Sequence, residues 1–549
     1  MQPELVKPAP ELRLWMLYPL FFAAVYLSHL TLLRLPYFWD EGGYYIPAAL
    51  DLFRTGTLIP RTTLTNAHPP LPSILLAGWW HLSGFVVSGT RTLVCMVAAA
   101  ALSGVFRLCR RLTGDAIAAA VTLLTAAYPV WYAQSTLAHA DIFAAAFSLW
   151  AMAVYLPRVA GDARATEGRR DDAGKVRGGS AVAEQAGVTL LFSLAALAKE
   201  TAIVTPVALA LMEAIFYLRA RRSAEGRRSA GWILSLLLPV LPLLAWYGYH
   251  YHVTGFVFGN PEFLRYNATA NLSAYRIALC LWHRTLHLTM HMNMFVPVLC
   301  AVAALLTPPL VERAGARLER RTLIAIAVVL TSNLVAFSVL GGALLTRYLL
   351  PMYPLVLLLA AMEWRRHFRA WWAVAALSFA AFVTGIWVNP PYAFAPEDNL
   401  TYRDMIVVHQ QAIRVLTSRF PSATVLTAWP ATAELQRPDL GYTKTPLRTA
   451  EIRNFSREQI EEAAKDPGAF DTALIFSTKW APAAGKTDLG KRNESEDTRF
   501  FDFHRDLSPG EAAALLGGEV VWAAQRKGEW AAVLHFPRTV NAELQRPSR

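Results

Sequence analysis

About eleven apolar runs, each long enough to cross a bilayer of about 30 Å, leave this chain few folds other than a bundle of membrane-spanning helices. They begin with Leu12 to Leu33 and continue at about 91–107, 115–133, 141–157, 182–198, 202–218, 230–249, 288–308, 322–341, 348–362 and 370–388. Composition agrees, since 54% of the residues are hydrophobic and only 17% are charged, against roughly 25% charged in soluble domains. No small-residue cleavage site follows the first run, so it is expected to stay as a span or signal anchor.

The net charge of +12 is not spread evenly. Arginines crowd into alternate loops, at Arg107, Arg110 and Arg111, from Arg158 to Arg177, at Arg219 to Arg228, from Arg313 to Arg321, and at Arg365, Arg366 and Arg369. That alternation is how cytoplasmic loops of a membrane protein are marked, and it argues against nucleic acid as a partner. The stretch from Arg158 to Ser180 reads as a disordered cytoplasmic loop. The parity holds only if Leu71 to Val87 does not cross, so this segment, with Trp79-Trp80-His81 between Gly78 and Gly84, is expected to lie as an interfacial helix. With a cytoplasmic amino terminus, one outer face then receives the loop 34–90 and the turns at His139 to Asp141 and Lys199 to Thr201. It also receives the loop from about His250 to His287, the turn before Arg347, and everything after Asn389.

From about Pro390 the composition turns soluble. Tyr402 to Arg419 has helical spacing, Thr424 to Trp429 and Thr472 to Thr478 look like buried strands, and Glu519 to Phe536 looks like a hairpin turning at Lys527-Gly528. Ser456 with Gln459, and Ser508-Pro509 with Glu511, sign two helix starts, and Gly517-Gly518 stops the second. The expected fold class is therefore a polytopic α-helical membrane protein with a carboxy-terminal soluble α/β domain. A membrane catalytic part spans 1–389 and an extracytoplasmic part spans 390–549. Cys95, Cys109 and Cys300 sit in or beside apolar runs and Cys280 in a polar loop, which makes neither a metal pattern nor a disulfide framework.

On the outer face, the adjacent acids Asp40 and Glu41 follow Trp39 and precede Gly42-Gly43-Tyr44-Tyr45. One carboxylate suffices to cap the helix that follows, whereas two beside aromatic rings at the membrane surface suit a partly desolvated general base. His68 precedes Pro69 and Pro70, so its backbone is held extended and its ring is aimed. His139 and Asp141 share a short turn. Lys199 and Glu200 put two charges between apolar stretches, where a charge costs about 2.5 to 3.5 kcal/mol unless it faces protein or water. Arg347-Tyr348 enters a span from the outer side against the charge rule, and a phosphate would account for it. Arg265 and Tyr266 are weaker candidates of the same kind. His283, His287 and His291 recur every four residues and could stack on one helix face, with no Cys or carboxylate beside them to make a convincing metal site.

Four of these motifs together resemble the GT-C glycosyltransferases, especially the protein O-mannosyltransferase and lipid A aminoarabinose transferase branch, over about residues 10–390. They are Trp39-Asp40-Glu41, His68-Pro69-Pro70-Leu71, Ala198-Lys199-Glu200-Thr201 and Arg347-Tyr348-Leu349-Leu350-Pro351. The resemblance implies a sugar donor carried on a polyprenyl phosphate, with Asp40 in the place of the family's acid and transfer with inversion outside the cytoplasm. His68-Pro69-Pro70 matches the mannosyltransferase form of the turn. The aminoarabinose branch tends to carry lysine there, so lipid A specificity is not implied.

The expected chemistry is attack of an acceptor hydroxyl on the anomeric carbon, with Asp40 as base and Lys199 and Arg347 on the departing phosphate. The acceptor is an envelope lipid, glycan or protein. No cofactor is required, and a metal stays open. The rival expectation is a transporter or flippase, whose marks are discontinuous helices and inverted repeats; neither is legible in the sequence.

Overall fold

The computed structural model describes residues 14–65, 68–159, 179–220, 224–259, 272–315, 317–340, 344–482, 488–489, 494–501 and 504–537. Most of the arginine-rich stretch after Arg158, together with Arg265 and Tyr266, lies outside the described residues. Among those described, six helices are long and apolar enough to cross a membrane: Val87–Thr113, Ala140–Val159, Ala181–Ala198, Glu200–Arg219, Ser229–Thr254 and Arg320–Leu340. Four apolar helices are shorter, namely Met16–Ser28, Asp115–Ala127, Phe295–Leu305 and Trp371–Trp387.

The pattern of about eleven uninterrupted runs is therefore too simple, and each departure has a local cause. The run at 115–133 breaks at Tyr128, which turns extended because Pro129 follows it and opens a new short helix. The run at 288–308 breaks at Met292 and Asn293, both with positive φ. Tyr353–His367 ends in Glu363, Arg365 and Arg366, so only its first turns are apolar. Two discontinuous helices are thus present where continuous ones were expected. Leu71–Ser83 has 13 residues and ends at the left-handed Gly84. At 1.5 Å per residue it falls short of the hydrocarbon thickness, but so do Met16–Ser28, Asp115–Ala127 and Phe295–Leu305, so length alone does not set it apart from them.

Within the bundle, Val87–Thr113 packs on Ala140–Val159, burying Ala98, Ala99 and Ala101 on one and Ala144, Ala145 and Ala151 on the other. Small side chains let helix backbones approach closely where lipid gives no hydrophobic drive for association. A buried charge needs a partner here, and Glu213 has one in Arg321 at 2.6 Å. Cys280 is not in a loop. It is buried in helix Ala274–Thr289, which opens where the Ser273 hydroxyl accepts from the Arg276 amide at 3.1 Å.

After the last apolar helix comes a five-stranded sheet of β1 (Thr424–Ala428), β2 (Arg448–Ile452), β3 (Thr472–Phe476), β4 (Glu519–Arg526) and β5 (Glu529–His535), in the order β2-β1-β3-β5-β4. β1 runs parallel to β2 and β3, and β5 runs antiparallel to β3 and β4. β2 was not anticipated, because Arg-Thr-Ala-Glu-Ile at an edge carries no apolar run. The hairpin turns at Lys527 and Gly528, both with positive φ, as a two-residue loop requires. Ser508 and Glu511 form a reciprocal capping box; at the other start the Ser456 hydroxyl accepts from the Gln459 amide at 3.4 Å, while the Gln459 side chain accepts from the Arg453 amide instead of returning to Ser456.

This sheet-containing part leans on the loop that carries Tyr37 and Trp39. The Tyr37 amide donates to the Leu440 carbonyl at 3.1 Å, and the rings of Trp39 and Trp429 meet edge to face at 4.9 Å. A Cβ on Gly43 would stand 2.9 Å from the Trp429 ring, and one on Gly42 would stand 3.1 Å from Leu440, so glycine is what permits the approach.

Candidate active site

Trp39 takes a left-handed conformation, φ +46°, and the chain then winds through one π-helical turn, Glu41–Tyr45, before helix Ile46–Thr55. Such a turn widens the spacing between successive side chains and is common at functional sites. It sends the two acids in opposite directions. Glu41 is fully buried, and its oxygens accept from Arg91 Nη1 at 2.6 Å, the Ala138 amide at 2.6 Å and the Phe38 amide at 2.9 Å. Asp40 makes no capping hydrogen bond and turns its carboxylate to Arg347 Nη2.

Arg347 lies on a short turn, Thr346–Leu349, and gathers three carboxylates. Nη2 meets Asp40. Nη1 lies 2.8 Å from both oxygens of Glu397, and Nε lies 3.3 Å from Asp141 Oδ2, an ion-pair distance without hydrogen-bond geometry. Burial works against this guanidinium, but Glu397, Asp40 and Asp141 together hold its pKa well above the ordinary value. Burial also pushes the Glu397 carboxyl up to about 8, with Arg347 pulling the other way. Behind them His139 is fully buried, and that burial, with Arg347 and Lys199 nearby, keeps the ring neutral. Its Nδ1 donates to Gln134 Oε1 at 2.8 Å, which leaves Nε2 as an acceptor 3.5 Å from Arg347 Nη1.

Lys199 Nζ bonds Asp141 Oδ1 at 2.6 Å and sits 3.8 Å above the Tyr348 ring. His68 Nδ1 pairs with Glu200 Oε2 at 2.8 Å, and the His68 ring stacks on Tyr45. Asp40, His68, Lys199, Glu200, Arg347 and Tyr348 all line one cavity of about 2860 Å³. Glu41, His139 and Asp141 stand behind that lining. The lining also includes apolar side chains such as Leu243, Trp282, Leu286 and Phe337 and, from the sheet-containing part, polar ones such as Arg453, Glu458, Lys479 and His504.

His283, His287 and His291 also line the cavity, but His291 is held by Asp398 at 3.0 Å and by the Tyr392 hydroxyl at 3.1 Å. Among the described residues, no three His, Cys, Asp or Glu side chains are arranged to hold a metal ion. Three participants escaped the sequence reading: Glu397, Arg91 and Trp429. Only Arg91 left a signal, as a lone charge at the head of an apolar run that calls for a buried partner.

The model of the Alg9-like mannosyltransferase family matches residues 15–431. Among curated proteins none matches the chain. Among solved structures, ArnT from Cupriavidus metallidurans in the apo state is similar with a TM-score of 0.54 and 13% identity, covering 95% of this chain and 98% of that one. The same protein bound to undecaprenyl phosphate gives a TM-score of 0.53 and 14% identity, over 94% and 98% of the two chains. At these identities the likeness is one of fold.

Proposed function

Because the chain belongs to the Alg9-like mannosyltransferase family and is thereby a membrane glycosyltransferase, we propose that its donor is a sugar on a polyprenyl phosphate and its acceptor a hydroxyl at the outer face of the membrane. The transporter or flippase alternative is dropped, since the family transfers sugars.

The observation that carries the proposal is Asp40, a carboxylate at the wall of a cavity with both apolar and polar lining, set against the Arg347 guanidinium. A cavity of about 2860 Å³ exceeds the roughly 300 to 1,000 Å³ of ordinary small-molecule sites, which suits a sugar phosphate with isoprene units behind it. The fold is shared with ArnT, whose structure is bound to undecaprenyl phosphate. In the proposed step the acceptor oxygen forms a bond to the anomeric carbon while its proton passes to Asp40. The bond from that carbon to the phosphate oxygen breaks, and its electron pair leaves with the polyprenyl phosphate. Attack from the face opposite the phosphate inverts the anomeric centre.

Arg347 and Lys199 are the cations offered to the phosphate, but carboxylates hold both. The donor phosphate therefore replaces Asp40 on Arg347 Nη2, one anion exchanged for another, and this exchange frees the base. Binding energy from the remote prenyl tail drives it. Glu41 is assigned a supporting role, because its oxygens are already engaged away from the cavity. His68 and Glu200 orient the sugar.

In this reading the four shorter apolar helices and the segment 348–362 complete about eleven spans, and Leu71–Ser83 rests at the interface. The amino terminus is cytoplasmic, and the sheet-containing part from 390 is extracytoplasmic, covering the acceptor side. The test is release of polyprenyl phosphate from polyprenyl-phosphate mannose and related donors by purified protein, wild type against Asp40→Asn. Equal release from both removes Asp40 from the mechanism, and no release from any such donor removes the donor assignment.

A further inference from the structure

Four side chains converge on Arg347, and the acid nearest to it in sequence, Glu397, has no part in the step just described. We infer that Glu397 is a positioning residue of the transfer: it grips one end of the Arg347 guanidinium so that Asp40, at the other end, can let go and take the acceptor's proton. This rests on the reading of Asp40 as the base.

The geometry separates the two carboxylates. Glu397 holds Nη1 with both oxygens at 2.8 Å, while Asp40 meets Nη2. The Glu397 side chain is 5% exposed and that of Asp40 is 21%, so ligands reach the Asp40 end first. Glu397 is also the better anchored. Gln134 Nε2 reaches its carbonyl at 3.5 Å, and its neighbour Asp398 takes the Thr346 hydroxyl on one side and His291 on the other. The turn Pro396–Asp398 is thus pinned to the residue before Arg347. Asp40 instead follows the left-handed Trp39 at the head of a widened helical turn. When a phosphate arrives at Nη2, the guanidinium stays in place only if Nη1 is held.

The groups facing Glu397 are Arg347, Asp40, Asp398 and Asp141, and those around Arg347 add His139 and Lys199. Glu397 ionises as pH rises, its grip on Nη1 strengthens, and Asp40 is released more readily. Wild-type kcat is therefore expected to climb through a step near pH 8.

The experiment is the pH profile of kcat and donor KM for full-length protein with polyprenyl-phosphate mannose, in wild type, Glu397→Gln and Glu397→Asp, with thermal unfolding in detergent alongside. Glu397→Gln is expected to erase the step and lower kcat by about tenfold to a hundredfold while donor KM does not rise. Glu397→Asp is expected to keep the step at a reduced rate. A step that survives Glu397→Gln, or a donor KM that rises while kcat holds, overturns the inference. Should Glu397→Gln not fold, the Glu397→Asp profile decides, a retained step supporting and a missing one overturning. Asp40→Asn separates the failures: full transfer there removes the base itself, whereas its loss beside an unchanged Glu397→Gln profile removes only the positioning role.

Discussion

Two pairs of adjacent acids, Asp40-Glu41 after the first apolar helix and Glu397-Asp398 after the last, are built alike. In each, one carboxylate faces Arg347 and the other turns back into the protein. Glu41 holds Arg91 and two backbone amides; Asp398 holds Thr346 and His291. They differ in which member is exposed to ligands. Asp40 is the most accessible of the four, and Glu41, Glu397 and Asp398 are all buried. Reactivity in such a cluster belongs to the carboxylate with the loosest hold, and the others define what it is loosened from.

Breaking the pairs one member at a time tests that division. Asp40→Asn is expected to lower polyprenyl-phosphate release by about 10² to 10⁴-fold with no loss of thermal stability, since Arg347 keeps Glu397 and Asp141. Glu41→Gln should do the reverse. It leaves Arg91 without a counter-charge in a buried site, a loss of about 3 to 5 kcal/mol that unfolding in detergent would register; a normal melting curve would strip Glu41 of its anchoring role. Asp398→Asn sharpens the likeness between the two supporting acids. It is expected to cost about 1 to 3 kcal/mol, because the amide keeps a single acceptor oxygen and either His291 or the Thr346 hydroxyl is left facing an NH2 donor. Smallest is a control far from both pairs, Ser508→Ala, which removes a capping box worth about 1 kcal/mol and should leave kcat alone.

What could be read from the sequence follows the same line. Asp40 stood out because an acid beside aromatics at the end of a membrane-length run has few bland explanations. Glu397 did not, because it lies just past the composition change at 390, where acids are ordinary surface residues. Its significance comes from a fold that returns the chain to Arg347, fifty positions earlier. The apolar runs located most helices, since burial in lipid needs little besides length and apolarity. They missed the breaks at Tyr128 and at Met292 and Asn293, where backbone geometry overrides hydropathy. The hairpin at 519–535 was legible from alternation and from Lys527-Gly528, but β2, half exposed and polar, carried no pattern to detect. The lysine and arginine expected to greet a phosphate were identified by type; that carboxylates already hold them is a fact of three dimensions alone.

The wall behind Gly43 is Trp429, and the grip on Arg347 is Glu397, both translated after every membrane helix. A growing chain folds from its amino-terminal end as it emerges. The bundle can therefore insert and settle before Trp429 and Glu397 reach the Asp40 loop, so that this side of the cavity is closed by residues that follow all of the apolar helices.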